Sequence, residues 1–266
     1  MTILDEIFAH KREEVAARRL NRPLAEVQAE ALLAAPPLDF IAALRSAPAR
    51  PALIAEVKRA SPSRGVIARE FDPLRLARVY AENGAAAISV LTDEKYFQGS
   101  LEYLKQLAQS GLGVPLLRKD FLYDPYQVYE ARAAGADAVL LIAAHLPPAL
   151  LADLHGLANA LGMAALVEVH DRAELEAVLP LNPALVGINN RDLRDFSVRL
   201  ETALELKPLL PPTVCAVAES GIHGAEDARR LGGAGFDAVL VGEALVAAAD
   251  TAQKTRELAG LEEIKP

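Results

Sequence analysis

Short apolar runs alternate with amphipathic stretches along most of the chain. The runs are Ala52–Lys58, Ala86–Thr92, Val114–Phe121, Ala138–Ala144, Ala164–Val169, Leu185–Asn190, Val214–Glu219 and Ala238–Val241. They are nearly continuous in Ala, Val, Leu and Ile, as expected of strands covered on both faces. Their spacing of roughly 25 residues is the rhythm of βα units in a parallel sheet. A weak repeat punctuates it. Asn83-Gly84-Ala85-Ala86-Ala87, Ala134-Gly135-Ala136-Asp137-Ala138 and Ala234-Gly235-Phe236-Asp237-Ala238 each precede a strand. The glycine suits the left-handed residue that ends a helix, so this motif carries fold information and no chemistry.

The first fifty residues follow a different period. Ile3, Leu4, Ile7, Phe8 and Val15 recur at helical spacing among Lys, Arg and Glu. Pro23 starts a second helical segment, Pro36-Pro37 ends it, and Asp39 is placed to cap a third over residues 40–45. Pro48 and Pro51 then break the chain. The expected architecture is α/β: a (β/α)8 barrel over residues 51–266 behind a helical N-terminal extension over residues 1–50. An open doubly wound sheet competes, but no glycine fingerprint follows the first strand.

Composition narrows the class. With 266 residues, 52% of them hydrophobic, the chain can bury a full core, and a net charge of −8 argues against nucleic acid as a partner. The single cysteine, Cys215, allows no internal disulfide and fits a reducing compartment as a buried filler. No signal peptide or membrane-length run is present, so a soluble, cytoplasmic protein is expected, monomeric or at most a weak homodimer. His10, His145, His155, His170 and His223 show no metal-ligand spacing, so neither a metal nor another cofactor is expected.

The ends of the apolar runs carry the candidate chemistry. In a barrel, catalytic residues sit at the C-terminal ends of strands. The first run ends in Glu56 and Lys58, two residues apart and therefore on one side of the strand, with Ser61 just beyond. The third ends in Lys119 and Phe121 on one face and Arg118 and Asp120 on the other. Glu168 lies between two valines; Asn189 and Arg191 align; Glu219 precedes Ser220-Gly221; and Gly242-Glu243 follows the last run. A salt-bridged pair at a sheet edge explains one such ending. Charged residues at the ends of several strands point instead to a site, because each would cost stability unless paired or solvated. The glycines after the seventh and eighth strands are expected to open helices whose backbone N–H groups hold a phosphate, or simply to turn the chain. Tyr96, Phe97 and Phe121 fit either the core or one wall of a pocket for a flat ring.

Six stretches together resemble the indole-3-glycerol phosphate synthase family. They are Glu56–Ser63 (EVKRASPS), Leu91–Ser100 (LTDEKYFQGS), Arg118–Phe121 (RKDF), Leu166–His170 (LVEVH), Gly187–Leu193 (GINNRDL) and Ala218–Ile222 (AESGI). The resemblance spans the whole chain and lacks no essential part of the pattern, although some members have Ser where this chain has Glu243. It implies a cofactor-free ring closure in tryptophan biosynthesis, acting on a small phosphorylated substrate, 1-(2-carboxyphenylamino)-1-deoxyribulose 5-phosphate, with loss of CO2 and water. It further implies Lys119 as general acid and Glu168 as base. Lys58 is the implied partner of the substrate carboxylate and second acid candidate, and Glu56, Asn189 and Glu219 hold the lysines and the substrate hydroxyls. Arg191 orients this set; Ser61, Ser220, Gly221, Gly242 and Glu243 form the phosphate grip; Phe97, Phe121 and Leu193 form the ring pocket. Phosphoribosylanthranilate isomerase shares the fold and the phosphate site but lacks the extension and the Glu-x-Lys ending. A non-catalytic phosphate-binding barrel would have little need of both Lys119 and Glu168. The extension itself is expected to cover the barrel mouth with a basic face of Lys11, Arg12, Arg18 and Arg19, or else to plug the bottom.

Overall fold

A computed structural model describes residues 3–62, 64–68, 70–192 and 197–261. Three helices come first: α1 (Ile3–Asn21), α2 (Leu24–Leu33) and α3 (Phe40–Arg45). Eight parallel strands follow: β1 (Ala52–Val57), β2 (Ala87–Leu91), β3 (Leu116–Lys119), β4 (Ala138–Ile142), β5 (Ala164–Val169), β6 (Leu185–Asn189), β7 (Cys215–Glu219) and β8 (Ala238–Val241). They close in the order β1-β8-β7-β6-β5-β4-β3-β2, with helices between successive strands, which makes the expected (β/α)8 barrel. A small antiparallel ribbon, Ala60–Ser61 with Gly65–Val66, stands on the loop after β1.

Strand alternation sorts the side chains into two layers. Leu53, Ala55 and Val57 pack outward with the helices, as do Val167, Ile188, Ala216 and Val239. Ala52, Ile54, Ala87, Leu117, Ala138, Leu140, Leu166, Leu185, Cys215, Val217 and Ala238 fill the interior. Cys215 is fully buried there, and burial pushes its thiol up to about 12, so it is the inert filler its sequence context implies. Six of the eight strands are shorter than their apolar runs. In β3 the ladder begins after Pro115, which has no N–H to give, and stops where the Asp120 side chain turns to cations.

The repeated Gly-x-Asp motif has a definite structural use. Gly84, Gly135 and Gly235 all have positive φ. Asp137 accepts from the N–H of Leu116 at 2.7 Å and Asp237 from that of Ala216 at 2.9 Å, so each satisfies an amide at the start of a neighbouring strand. Their second oxygens reach the N-terminal segment, at Leu38 N–H (2.8 Å) and at the Arg50 guanidinium (3.1 Å).

That segment closes the barrel at both ends. Phe40 and Leu44 of α3 are fully buried among the interior residues at the strands' N-terminal ends, and Asp39 caps the helix through the Ala42 N–H. Burying Phe40 stabilises the fold by about 1.5–3 kcal/mol. At the opposite end, Ile3, Leu4 and Ile7 of α1 line the mouth cavity. Phe8 stacks on His145 at 3.8 Å and meets Phe121 edge-on at 5.7 Å. Mouth cover and bottom plug are thus both present, in different helices.

Candidate active site

The mouth holds a cavity of about 480 Å³. Glu56, Lys58, Ser61, Phe97, Lys119, Phe121, Glu168, Asn189, Arg191, Glu219, Ser220, Gly221, Gly242 and Glu243 all line it. Leu193 lies outside the described residues. The arrangement follows from strand parity: moving up a strand in steps of two leads from the apolar interior to the cavity lining, which is polar on most strands, as from Leu166 to Glu168 or from Leu117 to Lys119, and apolar on β2 and β4, at Leu91 and Ile142.

Lys119 stands at the centre of that ring. Its Nζ lies 3.3 Å from Glu168 Oε2 and 3.5 Å from Glu219 Oε2. Burial alone would drive the ammonium toward neutrality, but Glu168, Glu219 and Glu56 outweigh it and hold Lys119 above the ordinary lysine range. The two carboxylates diverge. Burial raises both, yet Lys119 and His170 pull Glu168 well below its usual value, whereas Glu219 faces the Glu168 charge and is pushed up. Glu168 is therefore held as the anion and Glu219 toward the protonated acid. Asn189 and Glu219 are register partners in β6 and β7, and the Arg191 N–H donates to Asn189 Oδ1 at 3.0 Å. Lys58 forms its own pair with Glu56 at 2.6 Å, at the edge of the same cavity.

Two glycines make room for this set. A Cβ on Gly187 would sit 2.1 Å from Glu219 Oε1, and one on Gly242 would sit 2.3 Å from Glu56 Oε2. The sequence signal for Gly187 is a glycine inside an otherwise apolar strand, which marks a close approach. Spacing alone gave it no role.

The cavity is apolar on one side and polar on the other. The rings of Phe97 and Phe121 lie 6.0 Å apart, joined by Leu91, Leu140 and Ile142. Across from them, Ser61, Ser220, Gly221, Gly242 and Glu243 form the rim. Gly242 N-caps the helix Glu243–Val246, as the sequence implies. Ser220-Gly221 does not open a helix. Both residues are left-handed, with φ of 66° and 75°, and turn the chain sharply; the next helix starts only at Ala225. Glu243 turns its carboxylate to Arg64 of the ribbon at 2.8 Å, a pairing the spacing of these residues does not reveal.

The basic face of α1 is largely engaged within the protein, and exposed Arg12 lies over the Tyr123 ring at 6.0 Å. Lys11 is fully buried, with Asp120 at 2.9 Å, Asp93 at 3.0 Å and Glu14 at 3.0 Å. Arg18 pairs with Glu14 and Glu130, and Arg19 with Asp124. These cations dock the helix onto loops at the strand ends. Helical periodicity shows which residues share a face, not what that face meets. Among the described residues no group is placed to hold a metal ion, and no helix is long and apolar enough to cross a membrane.

The family model for indole-3-glycerol phosphate synthase matches residues 4–258. The indole-3-glycerol phosphate synthase of Roseiflexus castenholzii is 54% identical over 267 residues, covering 97% of this chain and 98% of the relative. That of Dehalococcoides mccartyi strain CBDB1 is 50% identical over 259 residues, covering 96% and 99%. Among solved structures, 3-hexulose-6-phosphate synthase from Salmonella typhimurium superposes with a TM-score of 0.66 at 14% identity, covering 79% of this chain and 97% of that one; at this identity the likeness shows the fold alone. Identity at the level of the two synthases, sustained over nearly the whole length, leaves one conclusion: this chain belongs to the indole-3-glycerol phosphate synthase family.

Proposed function

We propose that Lys119 and Glu168 perform the proton transfers of indole-3-glycerol phosphate synthesis in this cavity. The observation that carries the reading is a half-buried ammonium held between two buried carboxyl groups, one pulled toward the anion and one pushed toward the protonated acid, at the junction of an aromatic wall and a polar rim. The chain is a decarboxylating lyase of tryptophan biosynthesis, acting on a phosphorylated small molecule.

The aromatic carbon that bears the carboxylate attacks the substrate ketone, and Lys119 protonates the oxygen as the new bond forms. The carbon–carboxylate bond then breaks, and its electron pair restores the aromatic ring. In the last step the hydroxyl leaves as water while Glu168 takes a proton from the carbon next to nitrogen. Charge coupling times these events. While Lys119 is an ammonium it keeps Glu168 a weak base; once Lys119 has given its proton, that restraint is gone and Glu168 becomes more basic. Lys58, released from Glu56, pairs with the substrate carboxylate and is the second acid candidate. Protonated Glu219 and Asn189 hold Lys119, Glu168 and the substrate hydroxyls, and Arg191 orients them. The aromatic wall of Phe97 and Phe121 takes the anthranilate ring, with Leu193 assigned there by resemblance. Ser61 and the Ser220-Gly221 and Gly242-Glu243 backbones take the phosphate, since the Glu243 side chain is engaged with Arg64. We read the protein as cytoplasmic, since its one cysteine is a buried free thiol, and as a monomer or at most a weak homodimer.

Product fluorescence in single turnover tests the assignment. Glu168→Gln should still consume substrate carboxylate but form no indole, whereas Lys119→Met should block both. Normal indole formation by either folded variant would refute its role.

A further inference from the structure

The proposed reaction leaves a proton to be supplied. The ketone oxygen departs as water and needs two protons. One returns from the carbon that Glu168 deprotonates. The other must come from solution, because a carboxylate is consumed and neutral CO2 leaves. Lys119 lines the cavity that the substrate fills, so the substrate stands between it and bulk water.

A second opening exists behind Glu168. A side cavity of about 600 Å³ lies beside the mouth and is lined by His170, with exposed Arg172 and Glu205 on its rim. Glu168 lines only the mouth cavity and His170 only the side cavity, so contact between them links the two. His170 Nε2 lies 3.2 Å from Glu168 Oε1, and Nδ1 lies 3.1 Å from Glu174 Oε2. The other Glu168 oxygen is the one beside Lys119. Exchangeable groups in close contact therefore run from the side cavity through His170 and Glu168 to Lys119, with His170 Nε2 meeting Glu168 as a charge contact off the line of a hydrogen bond. Burial works against a charged imidazole here, but Glu168 and Glu174 outweigh it and hold His170 at about 10, so the ring carries both protons at neutral pH.

We propose that His170 delivers the solvent proton of each turnover, from the side cavity to Glu168 and on to Lys119. The step balances. The imidazolium gives its Nε2 proton to Glu168 Oε1, and Glu168 gives a proton from Oε2 to the Lys119 amine. The neutral ring, still protonated at Nδ1, then turns about its Cβ–Cγ bond into the side cavity, takes a proton from water at Nε2, and returns as the imidazolium. His170 thus acts through Glu168 and never touches substrate. The proposal rests on Glu168 and Lys119 exchanging protons with the substrate.

The test is steady-state kinetics of His170→Ala, His170→Gln and Glu168→Gln in dilute non-nucleophilic buffer, with and without added imidazole. Both His170 variants should lose roughly 10-fold or more in kcat, less than the 10²–10⁴ expected of a group acting directly on substrate, with KM little changed. Imidazole entering the side cavity should restore His170→Ala in a saturable manner and leave Glu168→Gln inactive. Full kcat in His170→Ala, or full kcat in His170→Gln, which keeps hydrogen bonds but relays no proton, would overturn the relay while leaving the Glu168 assignment intact. A fully active Glu168→Gln would instead remove the base assignment and the relay with it.

Discussion

At the scale of single residues, each charge at a strand end was legible because an apolar strand ending in Glu or Lys needs an explanation. Partnership was legible only within a strand, where parity pairs Glu56 with Lys58. That Lys119 belongs to Glu168 and Glu219 depends on barrel register, which strand parity does not contain. His170 received no role for a related reason: a histidine after a strand has meaning only once a cavity is seen behind it. Lys119→Met should lower kcat by roughly 10²–10⁴-fold and leave the circular dichroism spectrum unchanged, since a positioned acid is lost but no large cavity forms. Gly242 offers a sharper case. If its only task were to bring an N–H to phosphate, a side chain there would raise KM alone, the mark of lost uniform binding. Its Cβ position is taken by the Glu56 carboxylate, so Gly242→Ala should also lower kcat by pushing Glu56 off Lys58, and should cost about 1–3 kcal/mol in a urea titration through overpacking.

At the scale of elements, the hydrophobic pattern located the eight barrel strands within two residues and the three helices before them in their order, but not the small ribbon after β1. It could not assign the N-terminal helices to an end of the barrel, because an amphipathic stripe reads the same whatever it covers. The structure divides the work: α1 over the mouth, α3 in the bottom. Lys11→Met should destabilise the protein by about 3 kcal/mol, since it leaves Asp93 and Asp120 buried without their shared cation. Removal of residues 1–35, which keeps α3, should leave a folded barrel with raised KM and reduced kcat, as water reaches the reacting ketone. Extending the deletion through Leu44 opens the interior and should abolish cooperative thermal unfolding. A truncated barrel with native stability would show that α3 is not a plug.

At the scale of the whole molecule, buried ion pairs set the pH range of stability. Burial opposes the Asp120 charge, but Lys11 and Arg118 outweigh it and hold this carboxyl below its ordinary value. Its contribution is therefore present above the unfolded value of about 3.9 and lost as pH falls below it. His170 has the opposite sign: its contribution is full below an unfolded value of about 6.5 and is lost as pH rises through about 10. Urea midpoints plotted against pH should thus show a plateau with an acid shoulder that vanishes in Asp120→Asn and an alkaline shoulder that vanishes in His170→Gln. The closed end of the barrel has a consequence for biosynthesis as well. Phe40 and Leu44 pack with residues from nearly every strand, from Ala52 to Leu240. They are translated before every strand of the barrel and acquire their last neighbours only with β8. On the ribosome this segment stays unshielded until Val241 has left the exit tunnel, so a protease that cuts beside Phe40 should release stalled nascent chains at every length short of that point and spare the finished enzyme.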